Sequence, residues 1–205
     1  MPFVMLLLSA IDNGTVCDRY RHSDFIFTGT AEDKWMDMLD THQSPIHKRS
    51  EKSRRVRFLV REWYKGQRKD LMEIWITPAN CPLKIEANQT YLVYALTNTQ
   101  KKGRIESNGC LGTELVANAT ADLTYLQASL QGPGRATRIS GTSGRENENV
   151  VAKSGHDTRY ATANASGEFT FDGLPPGYWS LSAVGGHSQQ VELKPDSCVS
   201  TVLPR

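Results

Sequence analysis

Along most of this chain hydrophobic and polar residues alternate with the two-residue period of half-buried strands, and in one stretch the period becomes helical. The segment from Ser23 to Ala31 reads as a strand with a glycine-assisted bend at Gly29. Between Glu32 and Ser53 the alternation breaks, and a long polar loop carrying Trp35 and Met36 is expected. From Arg54 to Tyr64 it returns, with Val56, Phe58 and Val60 on one face and Arg55, Arg57 and Arg61 on the other; Lys65-Gly66 then marks a turn. Leu71 to Thr77 sets Met72, Ile74 and Ile76 opposite Glu73, Trp75 and Thr77, and Pro78 ends it. Tyr91 to Leu96 is apolar throughout, as in a central strand covered on both faces. Lys101-Lys102-Gly103 turns the chain into a short returning strand, Arg104 to Ser107.

The helical stretch runs from Asn118 to Leu130, where Leu123, Leu126 and Leu130 share one face. Asn118 or Thr120 is positioned to cap it, and Asp122 suits the positive end of its dipole. Gln131-Gly132-Pro133-Gly134 stops the helix and marks a boundary between two domains, with a linker at 131–135. Beyond it seven short strands are expected, at 136–140, 149–153, 159–163, 168–171, 178–184, 189–193 and 199–203. Their regular spacing predicts a small antiparallel β-sandwich over 136–205.

Composition narrows the class without naming a function. The 205 residues carry a net charge of +2, with 39% hydrophobic and 22% charged residues, so no global field selects nucleic acid or a membrane. No apolar run approaches the roughly 20 residues that span a bilayer, and membrane insertion of the mature chain is not expected. Met1 to Ala10 reads as the end of a secretory signal, with cleavage after Ala10 and a leader reaching residue 16. Four scattered cysteines, Cys17, Cys81, Cys110 and Cys198, form no C-x-x-C pair and are disulfide candidates in an oxidising space. An extracytoplasmic address follows, secreted, periplasmic or at the cell surface. Glycosylation sequons stand at Asn13, Asn88, Asn118 and Asn164 and matter where the source glycosylates asparagine.

Ordered along residues 17–130 are Cys17, Ser23-Asp24-Phe25-Ile26-Phe27-Thr28-Gly29, Tyr64-Lys65-Gly66, Cys81, Tyr91-Leu92-Val93-Tyr94-Ala95, Cys110 and the helix with Ala121-Asp122-Leu123-Thr124-Tyr125-Leu126. This set resembles the netrin-like domain shared with tissue inhibitors of metalloproteinases, in its bacterial-type form. The resemblance implies a mainly β fold, an OB-like five-stranded barrel with a C-terminal helix. It also implies that Cys17 bonds to Cys81 or Cys110, leaving Cys198 free or tying the two domains together. In the second half, Ala163 to Phe171 followed by Gly173-Leu174-Pro175-Pro176-Gly177-Tyr178-Trp179-Ser180-Leu181 resembles the carboxypeptidase regulatory-like, or transthyretin-like, sandwich. The usual turn before its second strand is replaced by Asn147-Glu148-Asn149. Such sandwiches belong to a broad carbohydrate-binding-like fold group, and fold alone confers no function.

No catalytic constellation stands out. His22, His42, His47, His156 and His187 begin neither H-x-x-E nor H-E-x-x-H, so zinc-protease spacing is absent, and no G-x-S-x-G elbow or phosphate-binding loop occurs. No enzymatic activity, metal or cofactor is expected. The clearest charge feature is the stretch from Lys48 to Lys69, with an excess of eight positive charges. On a strand it presents Arg55, Arg57 and Arg61 as a polyanion-binding face. Outside the cytoplasm that favours an acidic polysaccharide or other cell-surface polymer over nucleic acid. Trp35, Trp63, Trp75 and Trp179 are candidates for a sugar-stacking platform or for core packing. The expected function is a non-enzymatic accessory or binding module for a protein or surface polysaccharide. The alternative is metalloproteinase inhibition, which the first resemblance implies would act through a mature N-terminal Cys17; the second cysteine of a Cys-x-Cys start is missing.

Overall fold

Seven residues, Val16–His22, form the first helix, α1, in a computed structural model that describes residues 15–32, 38–42, 51–78, 81, 83–101, 103–131 and 137–203, with 38–42, 51 and 52 as backbone only. The signal-like start, Asn13, Trp35, Met36, His47 and the linker glycines lie outside the described residues. Helix α1 begins where the Thr15 side chain accepts from the Asp18 amide, and its inward side buries Val16 and Cys17. Lys65 Nζ donates to the Tyr20 carbonyl at 2.7 Å, placing a cation at the negative end of the helix.

Seven strands follow: β1 (Phe25–Ala31), β2 (Met38–His42), β3 (Glu51–Lys65), β4 (Leu71–Ile76), β5 (Thr90–Asn98), β6 (Arg104–Ser107) and β7 (Glu114–Leu115). Five of them close a barrel in the order β1-β3-β4-β6-β5, with β5 returning to β1. Strands β4 and β6 pair parallel, and the other pairs of the ring are antiparallel. The alternation read from the sequence fills this barrel. Val56 stands opposite Ile74 and Phe58 opposite Met72, and all four are buried with Phe27, Val93 and Ala95. Strand β5 is covered on both faces as expected, because Leu92 and Tyr94 point outward beneath the helices. At Gly29 the register of β1 on β3 shifts; a Cβ there would come within 3.1 Å of the Phe27 ring and of the Phe58 Cβ, so the bend needs a bare backbone.

The loop expected from Glu32 to Ser53 is in part strand. Met38–His42 pairs with residues 51–55, and β3 starts at Glu51. Backbone pairing with an existing strand imposes β structure where side-chain pattern is silent. Helix α2 (Thr120–Leu130) also differs in detail. Leu130 is 44% exposed, and the buried face is Asp122, Tyr125 and Leu126 rather than a leucine stripe. Neither Asn118 nor Thr120 caps it; the cap position is Ala119, with no side-chain hydrogen bond, and burial of Ala119 against the barrel fixes the start instead.

The second unit has all seven expected strands, most with ends moved by a residue or two: β8 (Arg138–Thr142), β9 (Asn149–Ser154), β10 (Asp157–Thr162), β11 (Glu168–Asp172), β12 (Gly177–Ala183), β13 (Gln189–Leu193) and β14 (Cys198–Val202). They make one sheet in the order β10-β9-β12-β13 and another in the order β11-β8-β14. Ile139, Val150, Phe169, Phe171, Trp179, Leu181 and Val191 share a core drawn from both. One pairing is not antiparallel as expected: after β13 the chain crosses to the other sheet and β14 enters parallel to β8.

Two disulfides are present, Cys81–Cys110 and Cys17–Cys198. Cys17 therefore bonds to neither Cys81 nor Cys110, because α1 turns its buried side toward β14. The two bonds fit an oxidising, extracytoplasmic environment. Among the described residues no helix is long and apolar enough to cross a membrane. Cys17–Cys198 closes a loop of 181 residues. Its removal by a Cys17→Ser, Cys198→Ser double substitution is expected to lower stability by about 2–5 kcal/mol, read as a fall in the urea midpoint under non-reducing conditions.

Candidate functional site

The outward face of β3 carries Arg55, Arg57, Leu59 and Arg61, since Val56 and Phe58 point into the barrel. Pairing with β4 sets Arg55 opposite Trp75, Arg57 opposite Glu73 and Leu59 opposite Leu71. The three arginines thus share one surface, as the alternation predicts. The register adds what sequence could not show, an acid set among them. Arg57 Nη2 donates to Glu73 Oε1 at 2.8 Å, and Arg55 Nη1 donates to Glu73 Oε2 at 3.3 Å. Arg57 also lies 3.8 Å from a Glu32 carboxylate oxygen, and Arg61 Nε donates to Thr30 Oγ1 at 2.8 Å.

These ion pairs stand at the surface, where such pairs contribute about 0–1 kcal/mol and a competing anion can displace them. Beside them Leu59 and Leu71 are 47% and 45% exposed and face each other across the strands. A depression of about 390 Å³ opens next to this pair, bordered by Arg57, Lys69, Leu71 and Glu73. The face is therefore amphipathic: the leucine pair lies beside Arg57, Lys69 and Glu73, with Arg61 anchored on Thr30, the residue opposite Leu59.

The described tryptophans, Trp63, Trp75 and Trp179, do not form a stacking row. Trp179 is in the core of the second unit, and Trp63 packs on Phe27 at 5.1 Å and donates to the Lys69 carbonyl at 2.9 Å. The Arg104 guanidinium covers the Trp75 ring at 3.8 Å, with Arg55 at 5.6 Å. Asn88 and Asn118 are exposed in turns, and Asn164 is exposed just before one. Among the described residues no group of three or more His, Cys, Asp or Glu is placed to hold a metal. Cys17 is fully buried within α1 and bonded to Cys198, a geometry that lends no support to a role as an exposed inhibitory contact.

Sequence reasoning missed a buried charge cluster on the opposite side of the barrel. Arg19 grips Asp122 with two hydrogen bonds, Nε to Oδ2 at 3.0 Å and Nη2 to Oδ1 at 2.7 Å, and the Tyr94 hydroxyl donates to Oδ2 at 2.6 Å. Asp122 thus serves a tertiary ion pair as well as a helix dipole. Burial alone would lower the Arg19 pKa; the Asp122 charge outweighs it and holds the group above its ordinary value. Burial, then the same charge, push the Tyr94 hydroxyl well above its usual range. Gly112 sits against this pair at φ +90°, and a Cβ there would fall 2.0 Å from Arg19 Cδ. No sequence signal joins Arg19 to Asp122, since 103 positions separate them.

Asp122→Ala strands the Arg19 charge in a buried site and is expected to destabilise by about 3–5 kcal/mol, measured by urea unfolding. Glu114, nearby, has its pKa raised by burial and then by the Asp122 charge, with Arg19 opposing. A carboxyl whose folded pKa exceeds its unfolded value contributes stability below the unfolded value and loses it as pH rises through the folded one. Glu114→Gln is therefore expected to raise Tm at neutral pH, with the gain vanishing as pH falls below the ordinary carboxylate range. Compared with known proteins, the chain matches no protein-family model and no curated protein, so its function rests on the geometry above.

Proposed function

We propose that this chain is a non-enzymatic, extracytoplasmic binding module, a netrin-like barrel followed by a transthyretin-like β-sandwich, that takes an acidic polymer on the outer face of β3 and β4. The polymer is a surface polysaccharide or an acidic protein segment. One observation carries the reading: the exposed Leu59–Leu71 pair lies among Arg57, Arg61 and Lys69, with the arginines in displaceable surface contacts. The closed barrel with its following helix and the two sheets around one core support the two family likenesses. Glu73 and Glu32 are engaged by Arg55 and Arg57, which favours binding over acid–base chemistry on this face. Inhibition through Cys17 has no comparable support, because that cysteine is buried behind Thr15 and Val16 in α1.

Heparin serves as the probe. The native chain is expected to be retained on a heparin column and released by salt, since screening weakens exposed charge contacts. Arg55→Glu, Arg57→Glu and Arg61→Glu together are expected to weaken retention about ten-fold or more. Leu59→Ser with Leu71→Ser tests the apolar centre without changing charge. Equal retention of the charge-reversed variant, with its circular dichroism spectrum unchanged, removes the reading.

A further inference from the structure

A second concave site lies away from the basic face, where α1 and the start of α2 meet the sheet β11-β8-β14. It is a cleft of about 430 Å³ with Arg19 and Asp122 on one side and Arg138, Ser140, Thr170 and Tyr160 on the other. That volume falls in the range of about 300–1,000 Å³ common to small-molecule sites.

The floor follows from strand alternation. Ile139 points into the core, so Arg138 and Ser140 point to the outer face of the sheet. Register then lays Thr170, Ser140 and Ser200 in one row of hydroxyls, and Asp172, Arg138 and Cys198 in the next. Most of these groups are already satisfied. Ser200 Oγ and Thr15 Oγ1 are hydrogen-bonded at 2.6 Å. Arg138 pairs with Asp172 and donates to the Ala121 carbonyl at 3.2 Å. Arg19 is held by Asp122, and Asn164 Nδ2 donates to Glu168 Oε2 at 3.0 Å. Ser140 differs: the residue is 2% exposed, its hydroxyl has no hydrogen-bond partner, and it borders the cleft. A buried hydroxyl in that state calls for a partner from outside the chain.

The character of that partner follows from the lining. Both guanidiniums are paired with acids, Arg19 with Asp122 and Arg138 with Asp172, and the lining adds the Glu168 carboxylate, so the cleft has no positive excess to select an anion. It offers alternating hydroxyl, amide and carboxylate groups from Ser140, Thr162, Asn164, Glu168 and Thr170. Two aromatic residues line it, Phe169, which is buried, and Tyr160, 76% exposed. Closely spaced donors and acceptors, a carboxylate among them, beside the exposed Tyr160 ring fit a molecule with hydroxyls around its edge and C–H groups on its flat side. We propose that this cleft binds a neutral saccharide of about one or two rings. Ser140 supplies the buried hydrogen bond and Tyr160 stacks at the entrance. The site is distinct from the acidic-polymer face in place and in the charge of its ligand.

The test is a titration of the ¹⁵N-labelled full chain with cellobiose, maltose and chitobiose, followed by amide chemical shifts. At least one sugar is expected to give saturable shifts at Ser140, Tyr160 and Thr170, with an affinity of about millimolar order. Tyr160→Ala, at an exposed position, is expected to weaken that binding about ten-fold. Ser140→Val, which fills the floor with methyl groups, is expected to abolish it. The proposal is overturned if none of the three sugars shifts these amides, or if the shifts survive undiminished in Tyr160→Ala. Should Ser140→Val fail to fold, the Tyr160 variant decides alone. Heparin retention is expected to be unchanged in both variants. Loss of sugar binding in the charge-reversed β3 variant, which leaves the cleft intact, also counts against a separate site.

Discussion

The placement of α1 is the constraint on which the relation of barrel to second unit depends. At seven residues it is far too short to persist alone in water, where isolated helices need roughly 12–15 residues to be even marginal. Tertiary contacts hold it in place. Arg19 binds Asp122 of α2, Tyr20 meets Tyr125 edge to face at 5.6 Å, and Lys65 at the end of β3 takes the Tyr20 carbonyl. On its other side Cys17 bonds to Cys198 and Thr15 to Ser200, both on β14. About two turns of helix thus join the barrel, its packed helix and the second sheet pair. The cleft exists because these contacts set two curved surfaces side by side without closing the space between them.

What sequence made legible follows from which residues report on which forces. Strands β3 and β4 were readable because each buries one face, and Val56, Phe58, Met72 and Ile74 record that burial at period two. Strand β5 was readable for the complementary reason, since both faces are covered and Tyr91 to Ala95 is apolar without a break. Strand β2 left no such record, because its order comes from backbone pairing with β3. Helix α1 was silent too. With Val16 and Cys17 as its buried residues, its signal is shorter than the period it would have to display. The pairing of Cys17 followed from the helix and was hidden with it.

The candidate surfaces divide the same way. Alternation alone placed Arg55, Arg57 and Arg61 on one side of a strand. That Glu73 stands between two of them depends on the register of β3 against β4, which no local pattern encodes. Leu59 was on that face in the sequence, yet its meaning changes only when Leu71 is found opposite and equally exposed. Ser140 is further removed from sequence, since an unpartnered hydroxyl is defined by everything that does not reach it.

Two kinds of arginine pair occur in this molecule: those closed off on one side, with Asp122 or Arg138 nearly buried, and those of Arg55 and Arg57, half-buried against the exposed Glu73. Arg19 and Arg138 are sheltered, and each is fixed by a carboxylate and a backbone or aromatic neighbour. In such surroundings breaking a pair leaves an uncompensated charge, so these arginines brace the fold and are not free to exchange partners. Arg55, Arg57 and Arg61 make similar contacts at the surface, where water screens them and the pairs contribute little. An arriving anion there replaces a weak contact with another of like kind, at little cost to the fold. The same side chain thus braces the fold where two surfaces meet and, in the role proposed here, would be open to an anion on the outer wall of the barrel. In the proposed binding role, only the part of the charge excess along residues 48–69 that reaches that wall takes part.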